Sequence, residues 1–110
     1  MHKMKDLELE GVMHLRPKVH SDNRGFFFEF SKESQNKKLG IPKFMQDNIS
    51  FSNENVLRGL HFQKPPYEQG KLVIVLDGQI LDVVVDIRHN SPTLGDYNSI
   101  ILDSQKQDIL

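Results

Sequence analysis

The stretch KLVIVLDGQILDVVVDI, residues 71–87, is the strongest indicator of fold class in the chain. Its two halves are runs of β-branched and other apolar residues, which predict strands over 71–76 and 80–87. Asp77-Gly78 lies between them and is a dipeptide typical of a tight hairpin turn. The stretch therefore predicts two antiparallel strands that pair with each other.

Short segments on either side of this stretch have similar patterns. Apolar and aromatic runs predict further strands over 12–17, 26–30, 44–51 and 99–102, and the polar run 31–39 predicts one or two helical turns. The last residues, 107–110, resemble the beginning of another strand. Turn residues separate the segments at the spacing of sandwiches and barrels. With 110 residues, the chain is predicted to be a single all-β domain.

Composition excludes several classes of protein. The chain has 14 basic and 15 acidic residues, a formal net charge of −1 and no cysteine, which rules out disulfides, zinc–thiolate sites and thiol nucleophiles. It has no basic block or acidic tail, so neither nucleic acid nor a membrane surface is a predicted partner. Its longest apolar run is too short to span a bilayer, and the N-terminus lacks the apolar core of a signal peptide. We therefore expect a soluble, cytoplasmic protein.

Arg58, His61 and Lys71 lie close to the apolar run and are the residues best suited to polar chemistry. A histidine ionises near pH ~6.5 and is a natural general base, whereas a lysine can stabilise an oxyanion. Alternation brings Arg58 near His61 only if the chain bends at Gly59. Spacing alone favours a surface or loop histidine, and a lysine at the end of a strand with its head in water.

The histidines do not predict a metal site. The second position of the His-x-His pair that cupin-type barrels use is Gln63 here, and Glu68 follows. One imidazole with one amide is a poor ligand set for zinc or iron. The remaining histidines form no pair at metal-ligand spacing and are predicted to be solvated: His2, His14, His20 and His89.

Arg24 and Arg58 are candidate phosphate ligands, because a guanidinium can donate two parallel hydrogen bonds to a phosphate. Either arginine could instead form a surface ion pair. Residues 22–25, DNRG, are also a plausible turn. The phenylalanines that follow, at 26, 27, 28 and 30, are predicted mainly as core. Because they must point to both sides of a strand, at least one is expected to face a partner subunit or a flat ring.

Two carboxylates, Asp82 and Asp86, fall on one face of the predicted strand over 80–87. At ~3.3 Å per residue they lie ~13 Å apart, which excludes a shared acid–base pair. Each is predicted to pair with an arginine such as Arg88, or with a nearby lysine or backbone group.

Three segments together resemble a known family. They are DNRGFFFEF (22–30), MQDNISFS (45–52) and VLRGLHFQKPPYEQGKLVIVLDGQILDVVVDIRHNSPTLGDY (56–97). In order and spacing they are similar to the dTDP-4-dehydrorhamnose 3,5-epimerase family, and the similarity extends from about Asp22 to Leu110. Each segment is a weak signal alone, but RGLHFQ followed by KLV and DVVVDIR is specific in combination.

The resemblance implies a cupin-like jelly roll, with residues 1–110 as the N-terminal portion of a single family domain. It also implies homodimers that exchange N-terminal strands, and catalysis without metal or other cofactor. The family's acid tyrosine and the aspartate that orients its base would fall after Leu110. The jelly roll is therefore expected to be incomplete at its C-terminal end, and neither Tyr67 nor Tyr97 matches the acid.

The activity implied by the resemblance is inversion at C3 and C5 of dTDP-4-dehydro-6-deoxy-D-glucose, giving dTDP-4-dehydro-L-rhamnose for dTDP-L-rhamnose biosynthesis. His61 would be the base that removes the protons next to the C4 ketone, and Lys71 would stabilise the enolate. The implied substrate-binding residues are Arg24 and Arg58 for the pyrophosphate and nucleotide, Glu29, Gln46, Asp47 and Asn48 for the nucleotide and sugar, and Phe26 for the thymine. The alternatives are a catalytically incomplete nucleotide-sugar binding or dimerisation module, and a single-site epimerase or ketoisomerase acting on a related dTDP-sugar.

Overall fold

The computed structural model describes residues 2–110, with side chains from Leu7 onward. Its strands are β1 (His2–Asp6), β2 (Met13–Arg16), β3 (Val19–Asp22), β4 (Gly25–Phe28), β5 (Gln79–Val85) and β6 (Tyr97–Asp103), and its helix is α1 (Glu33–Lys38). The strands pair antiparallel as β1–β2, β3–β4 and β5–β6. The predicted predominance of β-structure is confirmed, since the described helix has only six residues.

The chain divides into two compact units. The first combines Met1–Lys32 with Leu72–Leu110, and the second is Glu33–Lys71. All six strands belong to the first unit, and α1 belongs to the second.

The hairpin predicted around Asp77-Gly78 is wrong. Strand β5 pairs with β6 instead, in a register that runs from Gln79 opposite Asp103 to Val85 opposite Tyr97. A turn dipeptide only favours a local backbone conformation. In contrast, β6 provides seven consecutive residues that pair with β5. The predicted strand over 71–76 is reduced to one isolated bridge at Ile74.

Ile109 is fully buried and connects two other segments of the first unit. Its backbone exchanges hydrogen bonds with Leu15 in β2, at 2.8 and 3.0 Å, and it also forms a bridge with Ile74. The strand-like character predicted for residues 107–110 is thus confirmed at Ile109. Ile109, Leu9, Leu15 and Leu102 are buried apolar side chains, and they come from distant parts of the sequence.

The loop between β5 and β6 is closed by the carboxylate of Asp86. Its oxygens accept hydrogen bonds from Arg88 Nε at 2.9 Å, from the Ser91 hydroxyl and from Thr93 Oγ1 at 2.6 Å. The Arg88 guanidinium, followed by the two hydroxyls, holds the pKa of Asp86 well below its usual range. The predicted pairing of Asp86 with Arg88 is confirmed, and the network aligns the two strands for pairing.

The β3–β4 hairpin confirms the predicted turn, since Asn23-Arg24 connects Asp22 to Gly25. The predicted core position of the phenylalanines is wrong for three of them, which are exposed: Phe26, Phe27 and Phe30. The Phe26 and Phe28 rings stack with their centroids 6.0 Å apart. A two-stranded ribbon leaves its faces open, so its aromatic side chains remain available to another surface.

Helix α1 in the second unit lies within the polar run 31–39, as predicted. Glu33 lies in the first turn and Lys37 and Lys38 in the last, which suits the helix dipole. Gly40 follows with φ +74°. The Ile41 amide donates to the Asn36 carbonyl at 2.9 Å and the Gly40 amide donates to the Lys37 carbonyl at 3.2 Å. These two bonds form the Schellman ending that a glycine favours.

The rest of the second unit is irregular. The predicted strand over 44–51 is wrong, because this segment pairs with no strand of the described chain, and Met45, Ile49 and Phe51 are exposed. An apolar run becomes a strand only where another backbone satisfies its hydrogen bonds. Within residues 2–110, no helix has the length and apolar character needed to cross a membrane.

Candidate functional site

The three residues predicted to carry the chemistry, Arg58, His61 and Lys71, all belong to the second unit. All three are exposed and lie in irregular segments. The chain bends at Gly59, whose φ of +132° is one that residues with a Cβ rarely adopt. A Cβ at Gly59 would lie 4.0 Å from Nδ1 of His61, so the imidazole packs over this glycine.

The Arg58 side chain is held by two neutral acceptors from the preceding loop. Its Nε donates to Ser52 Oγ and its Nη2 donates to the Phe51 carbonyl, each at 2.8 Å. The other three arginines are each paired with an aspartate: Arg16 with Asp108, Arg24 with Asp22 and Arg88 with Asp86. Arg58 makes no ion pair with any described side chain.

The Gln46-Asp47-Asn48 segment precedes this loop within the same unit. All three residues are exposed, and Gln46 Nε2 donates a long hydrogen bond of 3.4 Å to Asn48 Oδ1. Their amide and carboxylate groups therefore remain accessible to a polar ligand.

The other predicted binding residues, Arg24, Glu29 and Phe26, belong to the first unit. Arg24 forms the surface ion pair left open as an alternative, with its Nε 3.1 Å from Asp22 Oδ2. This pairing lowers the pKa of Asp22 and raises the pKa of Arg24. Glu29 follows β4 and is exposed, as is Phe26.

His14 corrects one expectation about the histidines. It is only 17% exposed, and its Nε2 lies 2.9 Å from Asp108 Oδ1. The same oxygen accepts from Arg16 Nε at 2.9 Å. Burial raises the pKa of Asp108, but the hydrogen bonds from Arg16 and His14 outweigh it and lower the pKa overall. The predicted solvation of His14 is therefore wrong.

His20 and His89 are exposed as predicted, and the side chain of His2 lies outside the described part of the structure. Among the side chains described from Leu7 onward, no three His, Cys, Asp or Glu residues come together as a metal would require. The sequence analysis missed two sets of contacts. One is the cluster formed by His14, Arg16 and Asp108, and the other is the hydrogen bond from Arg58 to Ser52. The only signal for the first was the alternation of His14 and Arg16 on one strand.

The comparisons with known proteins agree on one family. The family model described as dTDP-4-dehydrorhamnose 3,5-epimerase matches residues 6–110. The dTDP-4-dehydrorhamnose 3,5-epimerase of Escherichia coli K12 is 46% identical over 102 residues, which are 91% of this chain and 55% of that protein. The chain thus spans about half the length of the curated relatives it matches.

Two solved structures extend the comparison. The dTDP-4-dehydrorhamnose 3,5-epimerase of Bacillus anthracis, solved with TDP and PPi bound, aligns with a TM-score of 0.93 at 37% identity, covering 98% of this chain and 62% of that one. The dTDP-6-deoxy-D-glucose-3,5-epimerase of Legionella pneumophila, in complex with dTDP-4-keto-L-rhamnose, aligns with a TM-score of 0.89 at 42% identity, covering 94% and 56% respectively. The chain therefore belongs to the dTDP-4-dehydrorhamnose 3,5-epimerase family.

Proposed function

We propose that this chain takes part in the epimerisation of dTDP-4-dehydro-6-deoxy-D-glucose at C3 and C5, a step of dTDP-L-rhamnose biosynthesis. The observation that carries the proposal is family membership over residues 6–110, a range that contains the proposed base and cation, His61 and Lys71. The family relatives solved with TDP and PPi and with dTDP-4-keto-L-rhamnose support this class of substrate. The proposed product is dTDP-4-dehydro-L-rhamnose, and the proposed enzyme is an isomerase without metal or other cofactor.

The chemistry follows from the acidity of a carbon next to a ketone. In the proposed step, His61 takes the proton from C3 or C5, and the electron pair moves onto the C4 oxygen as an enolate. The Lys71 ammonium offsets that developing charge, which accounts for most of the barrier to proton removal. Return of a proton to the opposite face inverts the carbon, and the proton held by His61 passes to solvent.

The substrate also has to be held by its nucleotide and pyrophosphate. We propose that Arg58 binds the pyrophosphate, because it has no carboxylate partner among the described side chains. The same proposal assigns Arg24 to the nucleotide end, with Phe26 on the thymine ring. Its further contacts to nucleotide and sugar come from Glu29, Gln46, Asp47 and Asn48, all of which are exposed.

The family relation also supports a proposal about the scaffold. We infer that the strands are part of a cupin-like jelly roll, and that both units belong to one domain, because the family model spans residues of each. We further propose a homodimer in which N-terminal strands are exchanged. The exposed aromatic face of the β3–β4 hairpin supports this assembly, since an isolated two-stranded ribbon is only marginally stable. The cytoplasmic location remains a prediction.

The test is proton NMR of dTDP-4-dehydro-6-deoxy-D-glucose in heavy water with the purified chain. We expect deuterium to enter C3 and C5, and His61→Ala to abolish the exchange. His89→Ala is the matched control, because His89 is an exposed loop histidine with no proposed role. Exchange that survives in His61→Ala, or that is lost equally in His89→Ala, contradicts the assignment of the base.

The same spectra separate the alternative functions. Exchange at a single carbon indicates a single-site epimerase, and transfer of the ketone to C3 indicates a ketoisomerase. A binding or dimerisation module would exchange no proton, although dTDP would still raise its melting temperature. A ligand at 100 times its dissociation constant adds about 2.7 kcal/mol to the free energy of unfolding, which a melting curve detects.

A further inference from the structure

The geometry of the Arg58 guanidinium decides which of its hydrogen-bond donors remain for a ligand. A guanidinium has five N–H donors arranged in a rigid plane. Ser52 Oγ takes the Nε donor and the Phe51 carbonyl takes one Nη2 donor, both at 2.8 Å. These two acceptors occupy the edge of the guanidinium formed by Nε and Nη2. Three donors remain, two on Nη1 and one on Nη2.

The remaining donors lie at the outer end of the guanidinium plane. The Nη1 and Nη2 atoms at this end are spaced to donate in parallel to two oxygens of one phosphate. A free arginine side chain on a loop would lose its rotamer freedom when it bound a ligand. The contacts from Ser52 and Phe51 restrict this freedom before any ligand binds.

We propose that Ser52 is a positioning residue for phosphate recognition, because its hydroxyl and the adjacent Phe51 carbonyl orient the guanidinium of Arg58 towards a nucleoside diphosphate. The inference rests on the proposed function and assigns a role within that same site to a residue that touches no substrate itself. It also explains why two neutral acceptors suit this arginine. A carboxylate in the position of Ser52 would neutralise Arg58, as the aspartates do for the other arginines, and would weaken its attraction for phosphate.

The alternative is that Ser52 only clips the loop between residues 51 and 58. In that case Ser52 would contribute only to the stability of the second unit. Its replacement would then lower phosphate affinity only by reducing the fraction of folded protein. The two roles are separated by binding measurements on variants that remain folded. They are also separated by whether the effect of Ser52 depends on the guanidinium of Arg58.

Isothermal titration calorimetry of the whole chain with dTDP, and separately with inorganic pyrophosphate, measures the affinity. We expect Ser52→Ala to raise both dissociation constants about 5- to 10-fold, the usual net effect of losing one hydrogen bond. Ser52→Thr keeps the hydroxyl and should remain within about 2-fold of the wild type. Ser34→Ala removes an exposed hydroxyl from α1 and should change nothing.

A double-mutant cycle with Arg58→Lys gives the decisive comparison. Lysine keeps the charge but has no Nε–H for Ser52 to hold, so Ser52→Ala should weaken binding no further in the Arg58→Lys background. If Ser52→Ala proves unfolded by circular dichroism, Ser52→Cys replaces it, because a thiol is nearly isosteric and a weak acceptor.

The outcomes separate the two proposals. If the wild type binds dTDP and Ser52→Ala binds it equally well, the positioning role is wrong and the proposed function stands. Equal effects of Ser52→Ala in both backgrounds also overturn the positioning role. If the folded wild type binds neither dTDP nor pyrophosphate, the proposed function fails, and this inference fails with it.

Discussion

The replacement of Ile109 by alanine tests whether the core of the first unit is organised around this residue. The Ile109 side chain is 0% exposed, and its backbone pairs with Leu15 and bridges Ile74. Alanine leaves those backbone hydrogen bonds in place and removes only side-chain carbon atoms. The experiment therefore isolates the contribution of side-chain packing.

The expected loss follows from the number of carbon atoms removed. Isoleucine has three more side-chain carbons than alanine, and each buried CH₂ contributes about 0.8 kcal/mol, which gives about 2.4 kcal/mol for transfer alone. The cavity left by the missing side-chain atoms adds to this, because the surroundings relax only in part. We expect a loss of about 2.5–4 kcal/mol in the free energy of unfolding, within the range for such substitutions in cores.

Urea unfolding followed by circular dichroism measures this loss, with Ile101→Ala as the matched control. Ile101 is in β6 of the same unit but is 61% exposed, so its replacement should cost less than about 1 kcal/mol, mainly in strand propensity. The urea concentrations at the unfolding midpoints of the two variants should therefore differ clearly. The dependence of the free energy of unfolding on urea concentration should be the same for both. Equal losses in both variants, or a loss below about 1 kcal/mol for Ile109→Ala, would refute the assignment of Ile109 to the buried core.

Two further stability predictions concern Asp108 and Gly40. The pKa of Asp108 lies below its ordinary value of 3.8, so its contribution is complete at neutral pH and is lost as the pH falls below about 4. In urea titrations at several pH values, Asp108→Asn should lower stability at pH 7 and reduce the decline below pH 4; parallel pH profiles would contradict this. Gly40→Ala places a Cβ at φ +74°, which costs about 1 kcal/mol. Amide hydrogen exchange at Ile41 should become about 5-fold faster while β5 is unaffected, and unchanged exchange at Ile41 would count against the Schellman ending.

The sequence alone determined the features that depend on neighbouring residues. The polar run 31–39 predicted the helical turns of α1, and DNRG predicted the turn between β3 and β4. The pairing of Asp86 with Arg88 was also predictable, because the two residues are close along the chain. Family membership could be inferred from three segments, since their order and spacing together are far more specific than any one of them.

The pairing of β5 with β6 and the position of Ile109 could not be read from the sequence. Asp77-Gly78 favours a turn locally, yet the loop closed by Asp86 aligns β5 with β6 and supplies a longer pairing. Any apolar run near β2 could have satisfied its backbone, and only the folded chain determines that Ile109 does so. Phe26, Phe27 and Phe30 were predicted to be buried and are exposed. Burial, too, could not be predicted locally, because it depends on which other segments cover a strand.

The candidate site also has features that the sequence predicts and features that only the tertiary structure decides. The types of residue needed for proton abstraction and phosphate binding could be recognised in the sequence as His61, Lys71 and Arg58. That Ser52 and Phe51 hold one edge of Arg58, and that Asp108 pairs with the distant Arg16, was decided by the tertiary structure. Residue type sets which hydrogen bonds a side chain can make, but its actual partners depend on which groups the fold brings within about 3 Å.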